Sequence, residues 1–412
     1  MQNKLFEMAL GITEPYFVKD IEFDAEKKKL DIHIDFRKGA LFTVTGKDGN
    51  PIQSKAYDTV DKTWRHLNFF EHECYLHARV PRVKYDDGIK QVKMPWEGMS
   101  NGFTLLFEAL LLQLCMGMPV FKASKITGAS DDKIWKMLER YVLAYLKGCD
   151  YSDVTAIGID ETSQKKHHDY ITLFVDLIRR KMLFIADGKG SETVEEFISM
   201  LEQQNGKAEN ISQVSCDMSP AFIKGVRENL PEAEVTFDRF HLMKTLNDAV
   251  DKVRRLEVKT DPNLKGLKFV FLKNSENLTS SDLDRLSKIR FADCGKKTLK
   301  AFQIKELFRE LYTAGTIDAF ESGLKKWYYL ASHSRIDAIK EAAKTIKRHW
   351  DGVMNWIKSR INNGILEGIA SLLQAAKARA RGYSSQKNFK IIAYLLTGKM
   401  DFSKINSAYL PT

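Results

Sequence analysis

Cysteine is scarce in this sequence. The chain has 412 residues and only five cysteines, which are scattered singly and form no CxxC pair. An odd number of widely spaced cysteines supports neither a disulfide framework nor a zinc site built from thiolates. The five are Cys74, Cys115, Cys149, Cys216 and Cys294.

The sequence also lacks an apolar run long enough to cross a membrane. The longest run, from Phe103 to Phe121, is interrupted by Glu108 and Gln113, which is typical of a buried helix. The opening residues MQNKLFEMAL have neither the basic start nor the small-residue cleavage site of a signal peptide. We therefore expect a cytoplasmic protein without a membrane partner.

Hydrophobic residues and positive charge are what the sequence has in quantity. Hydrophobic residues make up 44% of the chain, which is enough for packed cores in two to four domains and excludes a disordered protein. The net charge is +10 and the isoelectric point is about 9.1. This basic balance favours a nucleic-acid partner.

Residues 1–98 predict a small β-rich module. The segment Leu30–Phe36 alternates apolar and polar residues, as a half-buried strand does. Residues 74–81 and 88–95 have the composition of further strands on either side of the turn Asp86-Asp87-Gly88.

Residues 99–150 predict helices instead. A helix near Phe103–Met116 is followed at Pro119 by a short helix, and Ser130 is expected to cap a third one. A short helix, a tight turn and a second helix favour a helix-turn-helix that binds DNA. An ordinary helical connector would give the same pattern.

Residues 151–256 alternate between predicted strands and helices in the order β-β-β-α-β-α-β. Three meander strands followed by alternating units predict an α/β fold with a mixed sheet and helices on its faces. The ribonuclease H fold has this order, and one more helix within residues 361–412 would complete it. Residues 257–360 are expected to form a helical insertion with an aromatic core of its own.

Three acidic residues are candidates for metal-dependent chemistry. Asp160 and Asp217 each end a predicted strand, and in a ribonuclease H sheet these two strands are parallel neighbours. Their carboxylates would repel each other unless a cation lay between them, and hard oxygen ligands suit Mg²⁺ or Mn²⁺. Glu367, on the polar side of the last predicted helix, could complete a site for two such ions that supports in-line phosphoryl transfer.

Each of these acids also has a purely structural interpretation. An aspartate at a strand end often caps the following turn, and a glutamate on a helix is usually solvated. Asp238 ends the fifth predicted strand, three residues before His241. This auxiliary pair could position water or contact a phosphate, or it could only cap and pack a helix.

Basic residues follow Glu367 along the chain. A strip of this kind can hold DNA phosphates with a salt-dependent affinity, while a solvated helix face is the alternative. The candidate DNA-binding residues are Lys377, Arg379, Arg381, Lys387 and Lys390.

Several stretches of the sequence resemble the ISL3 family of bacterial insertion-sequence transposases. Four of them are AIGIDETSQKKHHDYITLFVDL, VSCDMSPAF, VTFDRFHLMKTLNDAVDKVRR and NNGILEGIASLLQAAKARARGYSSQKNF. The upstream stretches TWRHLNFFEHECYLHARVPRVKY, MPWEG and GFTLLFEALL fit the same family. The resemblance therefore extends over nearly the whole chain.

The resemblance implies a catalytic domain of the DDE type with a ribonuclease H-like fold. Asp160 in GIDE, Asp217 in CDMS and Glu367 in LEG match the family's triad. The implied function is a DNA transposase that binds terminal inverted repeats through its N-terminal region and performs metal-dependent DNA cleavage and strand transfer. Its partners would be double-stranded DNA ends and target DNA at the bacterial nucleoid, and the pairing of two ends favours a homodimer.

The sequence departs from the family in two places. Family members usually carry a zinc-binding cysteine module near the start, whereas Tyr85 stands here where a cysteine would be expected. We therefore predict a zinc-ribbon-like shape without zinc. Ala370 stands where the family often has asparagine, which affects a contact near the triad and not the triad itself.

Three other functions remain open from the residues alone. A DNA-binding protein descended from a transposase could keep the charge and the helices without catalysis. Another ribonuclease H-like nuclease, such as a junction resolvase or a hybrid nuclease, would share the acids. A metal-dependent phosphohydrolase would also share them but would leave the basic balance unexplained.

Overall fold

The computed structural model describes residues 2–45, 50–85, 88–100, 102–163, 170–291, 296–359 and 364–401. The chain forms two compact units: the first contains Met1–Gly148 and Ala376–Thr412, and the second contains Cys149–Ala375. The sequence-based division grouped all of 361–412 with the catalytic core, whereas residues from Ala376 onward belong to the first unit. The predicted turn at Asp86-Asp87 and the cysteine Cys294 lie outside the described ranges.

The N-terminal part of the first unit is a β-sheet preceded by one helix. Alternate residues of the second strand, Leu30, Ile32 and Ile34, are buried, as the apolar–polar alternation predicts. The sheet has the order β1-β2-β6-β5 with β7 on the far side of β6, while β3 and β4 pair separately. The elements are α1 (Gln2–Leu10), β1 (Tyr16–Asp24), β2 (Lys29–Phe36), β3 (Leu41–Thr45), β4 (Pro51–Lys55), β5 (Asp58–Phe69), β6 (His72–Tyr85) and β7 (Gly88–Gln91).

Helices α2 (Leu105–Gly117), α3 (Val120–Thr127) and α4 (Asp131–Lys147) follow the sheet, as predicted for residues 99–150. Gly128 ends α3 in the left-handed conformation, at φ 73°, which glycine adopts without strain. Ser130 is the N-cap residue of α4, as predicted by position. Its side chain makes no capping hydrogen bond, so the predicted side-chain cap is wrong. Helix α15 (Gln386–Thr397) packs against α4 and α2.

The second unit is built on a five-stranded sheet with the order β10-β9-β8-β11-β12. Strand β8 pairs antiparallel with β9, and β8, β11 and β12 are parallel neighbours. This is the predicted mixed sheet, and the class of the fold is α/β. The elements are β8 (Ala156–Ser163), β9 (Tyr170–Asp176), β10 (Lys181–Asp187), α5 (Glu192–Gln203), β11 (Gln213–Cys216), α6 (Pro220–Asn229) and β12 (Glu234–Phe237).

A long helix and a helical insertion follow the sheet. Most of the insertion's aromatic residues form a core, as expected: Trp327 is 2% exposed and its indole N–H donates to the Ile304 carbonyl at 2.8 Å. Tyr329 is an exception, at 62% exposed. The helices are α7 (Arg239–Glu257), α8 (Lys268–Leu272), α9 (Ser280–Phe291), α10 (Lys296–Leu311), α11 (Ile317–Ser332), α12 (Asp337–Arg348) and α13 (Trp350–Ser359).

Helix α14 (Gly364–Arg379) carries the glutamate singled out in the sequence. Leu366, Ile369 and Leu373 are buried along one face, while Glu367 is exposed beside them, as helical spacing predicts. Gly382 follows the end of the helix at φ 95°. Within the described ranges, we find no helix with the length and apolar character needed to span a membrane.

Candidate functional site

Three aspartates lie at corresponding levels of the three parallel strands in the second unit. Ser215 of β11 pairs with Gly158 of β8, so Asp217 follows at the level of Asp160. Cys216 pairs with Phe237 of β12, which brings Asp238 to the level of Asp217. Because the carboxyl ends of parallel strands share one edge of the sheet, the acids converge there.

Asp160 does not end its strand, contrary to the sequence-based expectation. Strand β8 continues to Ser163 by pairing with β9, and Asp160 faces Leu173 within that pairing. The register with β11 stops before Asp160, because β11 ends at Cys216. The aspartate is therefore at the end of the parallel pairing rather than at the end of the strand.

The electrostatic field at this edge disfavours a further negative charge. Burial raises the pKa of Asp160 to about 6, and the neighbouring carboxylates Asp217 and Asp238 add to the rise. The backbone N–H of Glu161, which donates to the carboxylate at 2.9 Å, and the nearby His241 oppose it. Like charges held together in this way are stabilised by a cation.

Asp238 and His241 form a hydrogen-bonded pair at the start of α7. The Asp238 carboxylate accepts from the backbone N–H of Phe240 at 2.9 Å and lies 3.0 Å from the His241 Nδ1. That hydrogen bond raises the pKa of His241, with further contributions from the charges of Asp238, Asp217 and Asp160. The pair thus caps the helix, as the structural interpretation predicts, and it also lies at the acidic edge; a role in positioning water or contacting a phosphate stays a prediction.

A close approach between α14 and β8 positions Glu367. A Cβ atom at Gly158 would lie 2.6 Å from the Leu366 side chain, so a larger residue at this position would displace Leu366. The Gln374 side chain also donates to the Thr162 hydroxyl of β8 at 2.5 Å. Partial burial and then the charge of Asp238 raise the pKa of Glu367, while His241 lowers it.

Asp238 and Glu367 both line a cavity of about 730 Å³. Its other walls come from the first turns of α7 and from the helical insertion. The remaining lining residues are Ser215, Phe237, Arg239, Phe240, Met243, Lys244, Asn247, Asn274, Glu276, Arg309 and Trp356.

The comparison with known proteins can be set beside this geometry. A family model for ISL3-type DDE proteins, described as a transposase, matches residues 157–393, more than half of the chain. The chain belongs to the ISL3 family of transposases. The matched range contains Asp160, Asp217, Asp238 and Glu367 together with the helical insertion. The resemblance to the ISL3 family that was drawn from the sequence motifs is therefore confirmed.

Relatives of this ISL3-family chain match it over nearly its whole length. The transposase for insertion sequence element IS1557 of Mycobacterium tuberculosis is 25% identical over 435 aligned positions, covering 96% of this chain and 96% of the relative. The transposase for insertion sequence element IS1001 of Bordetella parapertussis is 24% identical over 399 positions, covering 94% of this chain and 97% of the relative.

DDE transposases generally use divalent metal ions, and the acidic edge has the hard oxygen donors such ions prefer. In the part of the chain that the structure describes, no three His, Cys, Asp or Glu side chains are grouped closely enough to hold one ion. Mg²⁺ is commonly held by one or two carboxylates together with water and substrate phosphate oxygens. The crowded aspartates fit that kind of partial ligand set.

The five residues of the predicted basic strip differ in their exposure and in their contacts. Arg379 donates to the Gly117 carbonyl at 2.9 Å, and Lys387 pairs with Glu139 at 2.7 Å. Partial burial lowers the pKa of Lys377. Arg381 is exposed at φ 57°, and Lys390 is half-buried.

Sequence reasoning missed Gly158 and most of the cavity wall. Gly158 lies two residues before Asp160 in an apolar strand, and a glycine there is a signal of close backbone approach. Asn247 and Trp356 are separated by more than 100 residues in the sequence, so only the packing of α13 near α7 could reveal that they line one cavity.

Proposed function

We propose that this chain is a DNA transposase that binds the terminal inverted repeats of an insertion sequence and catalyses metal-dependent cleavage and strand transfer. Asp160, Asp217 and Glu367 are the proposed triad. The observation that carries the proposal is the convergence of three aspartates where the parallel pairing of β8, β11 and β12 ends, with Glu367 beside the adjoining cavity. A ribonuclease H-like core is part of this proposal, and the order β10-β9-β8-β11-β12 with a helical insertion before α14 supports it.

The proposed roles follow from charge and position. Asp160 and Asp217 would hold Mg²⁺ or Mn²⁺, with Glu367 completing the set for two ions. When bound, these ions lower the pKa of water or of a DNA 3′-hydroxyl and offset charge on the phosphate. A bound cation would lower the pKa of Asp160, because it would offset the burial and the neighbouring carboxylates that raise this pKa. His241, held by Asp238, would contact a phosphate oxygen.

The first unit would recognise the DNA ends. Its three helices α2 to α4 have the succession proposed for a helix-turn-helix, and the β-rich module before them would add contacts along the repeat. The zinc-ribbon-like shape, the absence of a need for zinc and a homodimer that pairs two ends remain predictions. Zinc at one equivalent in chelator-washed protein would contradict the second of these.

Cleavage of a labelled duplex tests the proposal. The duplex carries the terminal repeat that borders this gene, and the full-length chain is assayed with Mg²⁺, with Mn²⁺ and with EDTA. We expect nicking at the end of the repeat with either metal and none with EDTA. Asp217→Asn should remove nicking, while the exposed Asp248→Asn on α7 should not.

The principal rival is a transposase-derived protein that binds DNA without cutting it. It would bind the same duplex tightly and leave it intact with both metals. Preference for a branched junction or for an RNA–DNA hybrid would favour another ribonuclease H-like nuclease instead.

A further inference from the structure

The cavity beside the candidate site has features that metal-dependent cleavage alone does not require. It lies between the start of α7 and the helical insertion, and Asp238 and Glu367 form the part of its wall that belongs to the acidic edge. A volume of about 730 Å³ is within the range of small-molecule sites and is large enough for a nucleotide. A group bound there would therefore be close to the phosphate at the acidic edge.

Helix α7 presents one polar and aromatic face to this cavity. Phe240, Lys244 and Asn247 are spaced at four and three residues, so they lie along the same side of the helix. Phe240 is 55% exposed although it is a large apolar side chain. An exposed aromatic ring at the edge of a cavity can stack on a flat ligand.

Helix α13 supplies a second aromatic surface. Trp356 of α13 lines the cavity, and its ring packs against Tyr312 with centroids 4.6 Å apart. The Arg239 guanidinium lies over the same Tyr312 ring at 4.7 Å. These contacts fix the orientation of Trp356 and keep a cation near the cavity.

Asn247 supplies a hydrogen-bond acceptor that the described residues leave unused. Its side-chain oxygen is buried and has no hydrogen-bond partner within the described ranges. A buried acceptor without a donor is unfavourable, so such groups commonly mark a place where a ligand or water binds. Because Asn247 also lines the cavity, a ligand bound there that carries an N–H group would satisfy this oxygen once the side chain turns toward it.

We propose that this cavity receives one unstacked nucleobase from the DNA strand whose phosphate lies at the acidic edge. A nucleobase has the flat faces that Phe240 and Trp356 can contact and an N–H group that can donate to Asn247. Arg239 and Lys244 would contact the phosphates on either side of it. The inference rests on the proposed DNA-cleaving function, since it assumes that a DNA strand reaches Asp160 and Asp217. Base contacts of this kind offset the cost of taking the base out of the stack.

Duplexes with single abasic nucleotides test the proposal. Each carries the terminal repeat and lacks one base within three nucleotides of the cleaved phosphate, and affinity is measured in EDTA so that the DNA stays intact. At one position, loss of the base should weaken binding by the wild-type chain about tenfold, as expected for loss of one stacked base. A base mismatch at that position should strengthen binding, because unpairing is already complete.

The variants separate a base contact from a general effect on folding. Asn247→Leu and Phe240→Ala should reduce the preference for an intact base at that position to less than about twofold. Asp248→Leu on the same helix and Phe269→Ala, which changes an exposed ring outside the cavity, should keep it. If both Asn247→Leu and Phe240→Ala weaken all duplexes equally, the cavity is structural and the proposal is wrong.

The outcomes also distinguish this inference from the proposed function. A wild-type chain that cleaves the end with Mg²⁺ but shows no position-specific base preference would contradict the nucleobase site alone. A chain that neither binds nor cleaves the terminal repeat would contradict both.

Discussion

Glu108 is a buried acid and Asp160 a half-buried one, and their carboxylates have opposite surroundings. Glu108, in α2 of the first unit, is 0% exposed, and its carboxylate accepts from the backbone N–H groups of Met99 and Ser100, from the Ser100 hydroxyl and from the Tyr141 hydroxyl. Asp160, in the second unit, accepts from the neighbouring Glu161 N–H and faces other carboxylates. One charge is fully compensated by donors within the chain, and the other is not.

This difference shows how an acid used for structure can be distinguished from an acid kept for a ligand. Burial of a carboxylate is tolerated when hydrogen bonds replace its hydration, as they do around Glu108. At Asp160 the neighbouring charges of Asp217 and Asp238 work against burial. A cation is bound most favourably where carboxylates repel each other and lack compensating donors within the chain.

The largest expected effect concerns catalysis. Glu367→Gln should lower the rate of end cleavage on the order of 10³-fold or more, because it removes charge needed in the transition state. It should leave the free energy of unfolding nearly unchanged. Glu108→Gln should leave cleavage within a few-fold of wild type at a temperature where both chains are folded. Equal losses of cleavage in the two variants would contradict the assignment of Glu367 to catalysis and of Glu108 to structure.

The next largest effect is on the free energy of unfolding, and here the change at Glu108 matters more than the change at Glu367. Glu108→Gln replaces an acceptor of several N–H and O–H groups by an amide that cannot accept from all of them, and should lower the free energy of unfolding by about 3 kcal/mol. Tyr141→Phe removes one donor and should cost about 1 kcal/mol. Urea denaturation of the three proteins would measure both, and an unchanged midpoint for Glu108→Gln would show that its network adds little.

Asp160 should show a pH-dependent effect of intermediate size. Its pKa in the folded chain is about 6, above the ordinary value of 3.8, so the stability it contributes is complete below about pH 4 and is lost as the pH rises through 6. Asp160→Asn in EDTA should therefore be more stable than wild type by about 3 kcal/mol at pH 7.5 and close to it at pH 4. Urea denaturation at the two pH values measures this, and a variant less stable at pH 7.5 would be inconsistent with a repelled charge.

The smallest expected effect concerns two arginines of the first unit, which differ in whether the guanidinium is already bonded within the chain. Arg381 is exposed, whereas the Arg379 guanidinium is already bonded to a carbonyl. Arg381→Ala should reduce the slope of log affinity against log salt concentration by about 1, with a smaller change for Arg379→Ala. Salt titration of end binding measures both, and identical slopes for wild type and Arg381→Ala would place the phosphate contacts elsewhere.

The periodicity of the sequence predicted most of the fold because its strands and helices are locally consistent. The alternation in β2, the β-branched run of β8 and the apolar stripe of α14 each dictate one regular element. Asp160 was placed at a strand end because its apolar run stops there, whereas β9 extends the strand to Ser163 through long-range pairing. Local pattern does not encode such pairing.

The parts of the candidate site that sequence reasoning missed depend on tertiary contacts. Gly158 matters because Leu366 packs onto it, and Asn247 matters because of an unpaired atom that only the packed structure reveals. The assignment of residues 376–401 to the first unit follows from the packing of α15 on α4 and α2. Motifs located the acids, while packing determined what surrounds them.

Thermal unfolding with and without Mn²⁺ tests most directly whether the acidic edge is a cation site. At a concentration near 100 times the dissociation constant, Mn²⁺ should raise the midpoint of wild-type unfolding by about 5 °C. Asp217→Asn should lose most of that rise, and the exposed Asp248→Asn should retain it. An equal rise in wild type and Asp217→Asn would contradict the account, because the metal would then bind elsewhere and the crowded aspartates would have no role in holding it.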